Sequence, residues 1–186
     1  ATLDFAAVMA DAARFFEPYQ QDYPGFAAQA AAMAERAYQW AKANPRVFYM
    51  QRQLKDPAVN TGEYGDRSAN DEFFWAASAL YRLTGNKQYL NDARQYEPKQ
   101  FTLPTWGNVA SLGAFEWLAQ NSELNADMQT QLIAYCEEAI KDVATSSFQS
   151  PYGNKARDFG WGCLAENCCC QALGVSYADK ITGTKN

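Results

Sequence analysis

Three short segments carry the residues best suited to chemistry. They are residues 60–70 (NTGEYGDRSAN), 103–108 (LPTWGN) and 158–162 (DFGWG). Each places an aromatic residue, Tyr64, Trp106 or Trp161, directly before a glycine. Glycine lets backbone approach a ligand closely, and an aromatic ring offers a flat apolar face beside it. Glu63, Asp66, Asp71, Glu72, Asn108, Asp158 and Glu166 supply carboxylates and amides in or near the same segments. A sugar has apolar C–H faces and a polar rim, so a sugar site wants aromatic platforms next to carboxylates and amides. A structural reading weighs equally at this point: Trp106 and Trp161 as core anchors at helix starts, and Asp71 as a helix cap.

The composition narrows the chemistry. The chain of 186 residues contains no histidine, which removes Ser-His-Asp and Cys-His catalysis, His-ligated zinc and histidine pH switching. Acid–base work falls to carboxylates, Tyr, Lys or Cys. The formal charge of −5 comes without a long basic run, so no nucleic acid is expected as a partner. No stretch of about 18 apolar residues appears, so no membrane span is expected. Residues 1–10 lack the basic start and apolar block of a signal peptide. Of the five cysteines, Cys168, Cys169 and Cys170 are consecutive, and Cys136 and Cys163 form no Cys-x-x-Cys pair. Adjacent helical residues point about 100° apart, so the run is read as small apolar helix residues, with no metal and no cofactor expected.

The elements that must position these segments read as helices. Residues 3–16 form one, stopped before Pro18. Phe26, Ala30, Met33, Ala37 and Trp40 fall on one face of a second, ended at Asn44-Pro45. Residues 71–83 (DEFFWAASALYRL) are apolar nearly all round, broken after Glu72 by Ser78 and Arg82, with Gly85 suited to a C-cap. A short polar helix, 87–96, follows. Residues 106–119 are again apolar almost all round. Residues 126–144 carry one stripe of Met128, Leu132, Cys136, Ile140 and Val143, and 161–177 are apolar once more. Helices buried on most faces thus alternate with one-faced helices. An inner ring backed by an outer layer has this pattern, so the expectation is an all-α toroid of helical hairpins, with a plain bundle as the alternative. A weak repeat, LYRLTGNK at 80–87 and ADKITGTK at 178–185, supports the hairpin reading. After the second copy Asn186 falls in mid-hairpin, and an apolar flank is expected where further helices would pack, through which copies could pair as a dimer.

The motifs also carry a family resemblance. TGEYGDRSANDEFFWAASALYRLTGNKQYL, at 61–90, resembles nearly position by position a segment of glycoside hydrolase family 9, the endoglucanase (cellulase) family. PTWGNVASLGAF resembles its Trp-Gly-Asn/Asp helix start, FGWGCLAENCCCQAL its aromatic-Gly-Trp-Gly segment, and ATLDFAAVMADAARFF the stretch just downstream of its first catalytic region. The resemblance covers essentially the whole chain and implies a single partial catalytic domain, 1–186, with a partial (α/α)6 barrel. It implies inverting hydrolysis of β-1,4-glucans, in which an Asp activates water while a Glu protonates the leaving oxygen. That Asp belongs to an Asp-x-Gly-Asp motif and that Glu to the last helical region, neither of which matches a segment here, so no catalytic residue is carried over and the chain alone is expected to be inactive. What carries over is the sugar-binding wall: Trp161 under a glucosyl ring, Glu166 facing the cleft, Tyr64 and Asp66 in the loop closing one side, and Trp106 more loosely. The implied partner is a β-glucan oligosaccharide or polysaccharide, and the implied location is extracellular or periplasmic. A non-catalytic carbohydrate-binding or structural toroid is the alternative, and a lyase or cyclase on a similar toroid is weaker.

Overall fold

A computed structural model describes residues 1–53, 68–100, 102, 104, 105, 107–119, 126, 128–131, 133, 134, 176 and 183. Five helices run through them: α1 (Thr2–Phe16), α2 (Phe26–Ala43), α3 (Asn70–Thr84), α4 (Lys87–Gln95) and α5 (Ala110–Leu118). Among the described residues there is no strand, only one isolated antiparallel bridge between Thr105 and Asn108.

The burial of each helix follows its composition. α3 buries Phe73, Phe74, Ala76, Ala77, Ser78, Ala79 and Leu80 without a break beyond Trp75, and α5 buries eight of its nine residues. Their neighbour α4 buries only Tyr89, Leu90, Asp92 and Ala93 and is polar elsewhere. α1 packs on α2 and on α3, and α3 packs in turn on α4 and α5. The inner row is therefore α1–α3–α5, with α2 and α4 behind it. Both helices bury mainly alanines: Ala6, Ala7, Ala10 and Ala13 in α1, and Ala27, Ala30, Ala34 and Ala41 in α2. Such small side chains allow axes to approach to the near end of the usual range of about 8–10 Å.

Contacts at both ends of the inner row set its direction. Near the helix starts, the Val109 backbone N–H, just before α5, donates to Asp71 Oδ2 in the first turn of α3 at 2.9 Å. Near the helix ends, Glu116 of α5 meets Arg82 of α3 at 2.9 Å and Arg14 of α1 at 3.5 Å. Arg14 also bonds Asp11. Start meets start and end meets end, so α1, α3 and α5 run parallel, and the outer helices carry the chain back.

Turn chemistry ends the helices as the sequence suggests. Gly85, at φ 68°, closes α3 by donating its N–H to the Tyr81 carbonyl at 2.7 Å, a left-handed cap that glycine adopts without a Cβ penalty. Asn86 then caps α4 through its side chain, which accepts from Gln88 N at 2.9 Å. The outer layer is tied by Asp92, whose Oδ2 accepts from the buried Tyr38 hydroxyl at 3.0 Å and from Lys42 Nζ at 2.7 Å. Burial, then the neighbouring Asp92 charge, push the Tyr38 hydroxyl well above its usual range, so it stays a donor.

One sequence reading is refined and one is corrected. The stripe Phe26–Ala30–Met33–Ala37–Trp40 shares one face of α2, as its spacing implies, but the side chains that α2 buries are Ala27, Ala30, Ala34, Tyr38 and Ala41, and Phe26, Met33 and Trp40 are exposed. Close packing selects mainly small side chains for the buried face. The helix expected over 106–119 starts only at Ala110, because Thr105 and Asn108 exchange backbone hydrogen bonds in a turn and Asn108 Oδ1 accepts from Ala110 N at 3.1 Å. Of the 126–144 stripe, Met128 is buried in the core as expected, while Leu132, Cys136, Ile140 and Val143 lie outside the described residues. The 161–177 helix also lies outside them, apart from Ser176.

The α3–α5 contact depends on one glycine. A Cβ on Gly113 would lie 2.6 Å from Phe74 Cδ1 and 2.9 Å from the Trp75 Cα, the latter being backbone that cannot swing aside. Gly113→Ala is therefore expected to destabilise the chain by about 1–3 kcal/mol, the cost of overpacking. Urea unfolding monitored by circular dichroism checks this, and an unchanged midpoint would contradict the close approach.

Glu116 makes a second measurable contribution. Desolvation, followed by the nearby Asp11 charge, raises its carboxyl above the usual carboxylate range against the opposing pull of Arg82 and Arg14. The folded chain then holds this proton more tightly than the unfolded chain. Its contribution to stability is full at low pH and is lost as pH rises from the ordinary carboxylate range through the raised value. Relative to Glu116→Gln, whose side chain does not titrate, the wild-type stability should decline with rising pH across that window. Parallel unfolding curves for the two proteins from about pH 4 to 7 provide the measurement.

Candidate functional site

The starts of α1, α3 and α5 share one rim, and the described residues just before α3 and α5 lie there. Ser68 and Ala69 lead into α3, and Asn108 and Val109 lead into α5. Asp71 ties these two helix starts together. It does not cap its own helix; its carboxylate takes the Val109 N–H, next to Ala110, whose N–H donates to Asn108 Oδ1. A negative charge there also faces the positive end of the α5 dipole. The turn before α5 is fixed further by Thr105, whose N–H donates to the Asn108 carbonyl at 2.8 Å and whose Oγ1 accepts from Gly107 N at 3.2 Å.

A cavity of about 460 Å³ opens beside this rim, between the start of α1, the end of α2 and the start of α3. Leu3, Trp40, Val47, Tyr49, Glu72 and Phe73 are among its walls. It is mostly apolar. Glu72 brings a carboxylate to it, so two consecutive acids of α3 face different tasks: Asp71 holds α5, and Glu72 lines the cavity.

Each of the five residues singled out for sugar binding, Tyr64, Asp66, Trp106, Trp161 and Glu166, lies outside the described residues, as do Glu63, Asp158 and all five cysteines. Of the other polar candidates, Asp71 and Asn108 are brought together around Val109, and Glu72 lies one residue beyond. Among the described residues there is no group of three or more Cys, Asp or Glu side chains placed to hold a metal ion. Among them, too, no helix is long and apolar enough to cross a membrane. The Asp71–Val109 link has no sequence signal, because 38 residues separate its partners. Glu116 and its two arginines were also missed, since Glu116 sits singly in an otherwise apolar run.

With this geometry in place, comparison with known proteins is decisive. The family model for glycosyl hydrolase family 9 matches residues 1–186. The chain belongs to that family. It is 47% identical over 193 aligned positions to a xyloglucan-specific endo-beta-1,4-glucanase of Bacteroides ovatus, covering 98% of this chain and 33% of that protein. It is 29% identical to endoglucanase D of Acetivibrio thermocellus, again over 98% of this chain and 29% of the relative. Among solved structures, a family 9 enzyme of Bacteroides ovatus superposes with a TM-score of 0.85 at 46% identity, over 98% of this chain and 35% of that one. A structure of AaCel9A in complex with a cellobiose-like isofagomine superposes with a TM-score of 0.73 at 26% identity, over 97% of this chain and 33% of that one. The chain thus spans about a third of the length of these relatives. The alternation of inner and outer helices is part of an (α/α)6 barrel, and the plain-bundle alternative falls away.

The Asp71 link is open to test. Asp71→Ala removes the acceptor for Val109 N and should cost about 0.5–2 kcal/mol, the range of a lost helix cap, while Asp71→Asn, which keeps an acceptor oxygen, should cost less. Amide hydrogen exchange at Val109 should accelerate in the alanine variant and stay near wild type in the asparagine variant. Equal exchange in all three proteins would show that the carboxylate does not hold α5.

Proposed function

We propose that this chain forms the sugar-binding wall of the cleft in an inverting endo-β-1,4-glucanase. The family match over residues 1–186, together with inner-helix starts gathered at one rim, supports this reading most strongly. A polymer lying across such a rim meets the ends of several helices at once, so each loop leading into a helix can contribute one contact. Trp161 stacks on a glucosyl ring, Glu166 faces the cleft, Tyr64 and Asp66 belong to the loop that closes one side, and Trp106 adds to the wall more loosely. The backbone recognised is a β-1,4-glucan of cellulose or xyloglucan type, in line with the names of the relatives. Such polymers are met outside the cytoplasm, so the protein acts in an extracellular or periplasmic setting.

The acid and base are not drawn from this chain. Inversion needs two carboxyl groups about 6.5–9.5 Å apart across the scissile bond. No Asp-x-Gly-Asp occurs in the sequence, Asp71 is occupied in holding Val109, and Asp66 and Glu166 have wall roles. The isolated chain should release no reducing sugar from soluble β-glucan. Release that disappears on mutating Asp66, Asp71 or Glu166 would overturn this division of labour. In a full-length family 9 enzyme carrying this segment, Trp161→Ala should cost about 1–3 kcal/mol in kcat/KM on a β-glucan, the scale of a lost aromatic contact. A folded variant with wild-type kcat/KM would remove Trp161 from the wall. A folded full-length enzyme with no hydrolysis of any β-glucan would favour a binding or structural role instead.

A further inference from the structure

Asp71 stands where two of the aromatic-glycine segments end. It lies just past residues 60–70, in the first turn of α3, and its partner Val109 lies just past residues 103–108, immediately before α5. The bond between them, Val109 N–H to Asp71 Oδ2 at 2.9 Å, bridges 38 residues of sequence. Its acceptor is a carboxylate, which places it in the stronger class of hydrogen bonds. The turn that leads into Val109 is stiff. Thr105 and Asn108 exchange backbone hydrogen bonds at 2.8 and 3.3 Å. Thr105 Oγ1 accepts from Gly107 N at 3.2 Å, and Asn108 Oδ1 accepts from Ala110 N at 3.1 Å. A turn bonded in this way moves as one body with the start of α5. Deeper along the helices, the close approach at Gly113, where a Cβ would lie 2.9 Å from the Trp75 Cα, sets the spacing of α5 and α3. At the rim itself, Asp71 joins the turn to α3.

We propose that Asp71 is a positioning residue for substrate binding: by holding Val109 it fixes the Thr105–Asn108 turn against the start of α3, so that segments 60–70 and 103–108 present their sugar contacts at one set spacing. This rests on the glucanase reading above and adds to it the residue that sets the spacing. Two contacts on one stiff polymer need that spacing to be right, because a misplacement of about 1 Å can cost roughly a hundredfold in rate. Exposure divides the parts accordingly. Ser68, Asn70, Gly107 and Asn108 are exposed, whereas Asp71 and Val109 are half-buried. The segments thus offer surface, and the bond that joins their ends is partly shielded from water, which strengthens it. A plain helix-capping role has a different consequence. Asp71 would then matter for stability and not for affinity once the protein is folded.

The test uses a full-length family 9 enzyme containing this chain, assayed well below the unfolding midpoint of each variant. Affinity for a soluble β-glucan is read as KM and also by calorimetry, which needs no turnover. Asp71→Ala should weaken affinity by roughly tenfold and leave kcat within about twofold, the pattern of a lost contact that serves substrate and transition state alike. Asp71→Asn, which keeps an acceptor oxygen, should restore most of the affinity. Asp71→Glu keeps the charge but moves the acceptor by one methylene, so it should lose affinity as the alanine variant does; it decides the matter if Asp71→Ala is too unstable to assay. Wild-type affinity in the alanine or glutamate variant would reduce Asp71 to a structural link and overturn the proposal. Equal losses in the alanine and asparagine variants would overturn it too, because the acceptor would then not be what counts. Trp161→Ala reads the wall separately. If that variant keeps wild-type kcat/KM while Asp71→Ala loses affinity, the wall reading of Trp161 fails and the role of Asp71 stands; the reverse removes the role of Asp71 alone. No binding of β-glucan by the folded wild-type enzyme would overturn both.

Discussion

The enclosure of α3 is the constraint on which the rest of this structure depends. α3 is covered by α1, α4 and α5, and its side chains can face almost nothing but other side chains. A helix in that position has to be apolar around most of its circumference, and each polar group on it needs a specific answer. Ser78 returns its hydroxyl to the Phe74 carbonyl at 2.6 Å. Arg82, close to the helix end, reaches Glu116. Asp71 and Glu72 stay in the first turn, where negative charge suits the helix dipole. Burying a polar group without a partner is costly, which explains why the interruptions in so apolar a run lie near its ends or bond to its own backbone.

The same enclosure dictates the neighbours. α5 can come close only because Gly113 removes a side chain where Phe74 and the Trp75 backbone stand. Once α5 is that close, Glu116 is desolvated and has to be matched by Arg82 and Arg14, and those pairs align the ends of three helices. A buried ion pair of this sort contributes little net stability, because desolvation offsets attraction, but breaking it leaves an uncompensated charge. Its service is to make parallel alignment of the inner helices cheaper than any slipped arrangement. Asp71 performs the corresponding service at the opposite ends.

Much of this was legible in the sequence where the signal is local. The unbroken apolar run of α3, its glycine stop at Gly85 and the asparagine that opens α4 are each written within a few residues, and the helices follow them closely. The alternation of fully buried and one-faced helices was legible for α3, α4 and α5 because it counts polar residues around one helix at a time. α2 shows the limit of periodicity: the spacing locates an apolar face at Phe26, Met33 and Trp40 but does not say which face is buried, and α2 buries Ala27, Ala34, Tyr38 and Ala41 instead. The start of α5 was misplaced because the Thr105–Asn108 turn competes with the helix through side-chain and backbone bonds that apolar periodicity does not register. Of the candidate site, Asp71 and Asn108 were marked as polar candidates, yet their meeting at Val109 depends on two helices packing together, which no local pattern contains. The aromatic-glycine segments stood out from composition and spacing, and the wall role proposed for them rests on family resemblance.

The rim at the helix starts follows from the same constraint. A ring of parallel inner helices has no special end until its members share a direction, and the polar links at both ends of α3 impose that direction. Once it is imposed, every hairpin brings a loop to the same rim, so a site of several contacts can be assembled from segments far apart in sequence without any of them folding into a site alone. α3, with α1 on one flank and α5 on the other, hides its apolar surface, whereas α1 and α2 expose Phe5, Val8, Met33 and Trp40. The residues that hold neighbouring helices therefore run along the flanks, and the links that fix a common direction, Asp71 with Val109 and Glu116 with Arg82 and Arg14, sit at the ends of the inner helices.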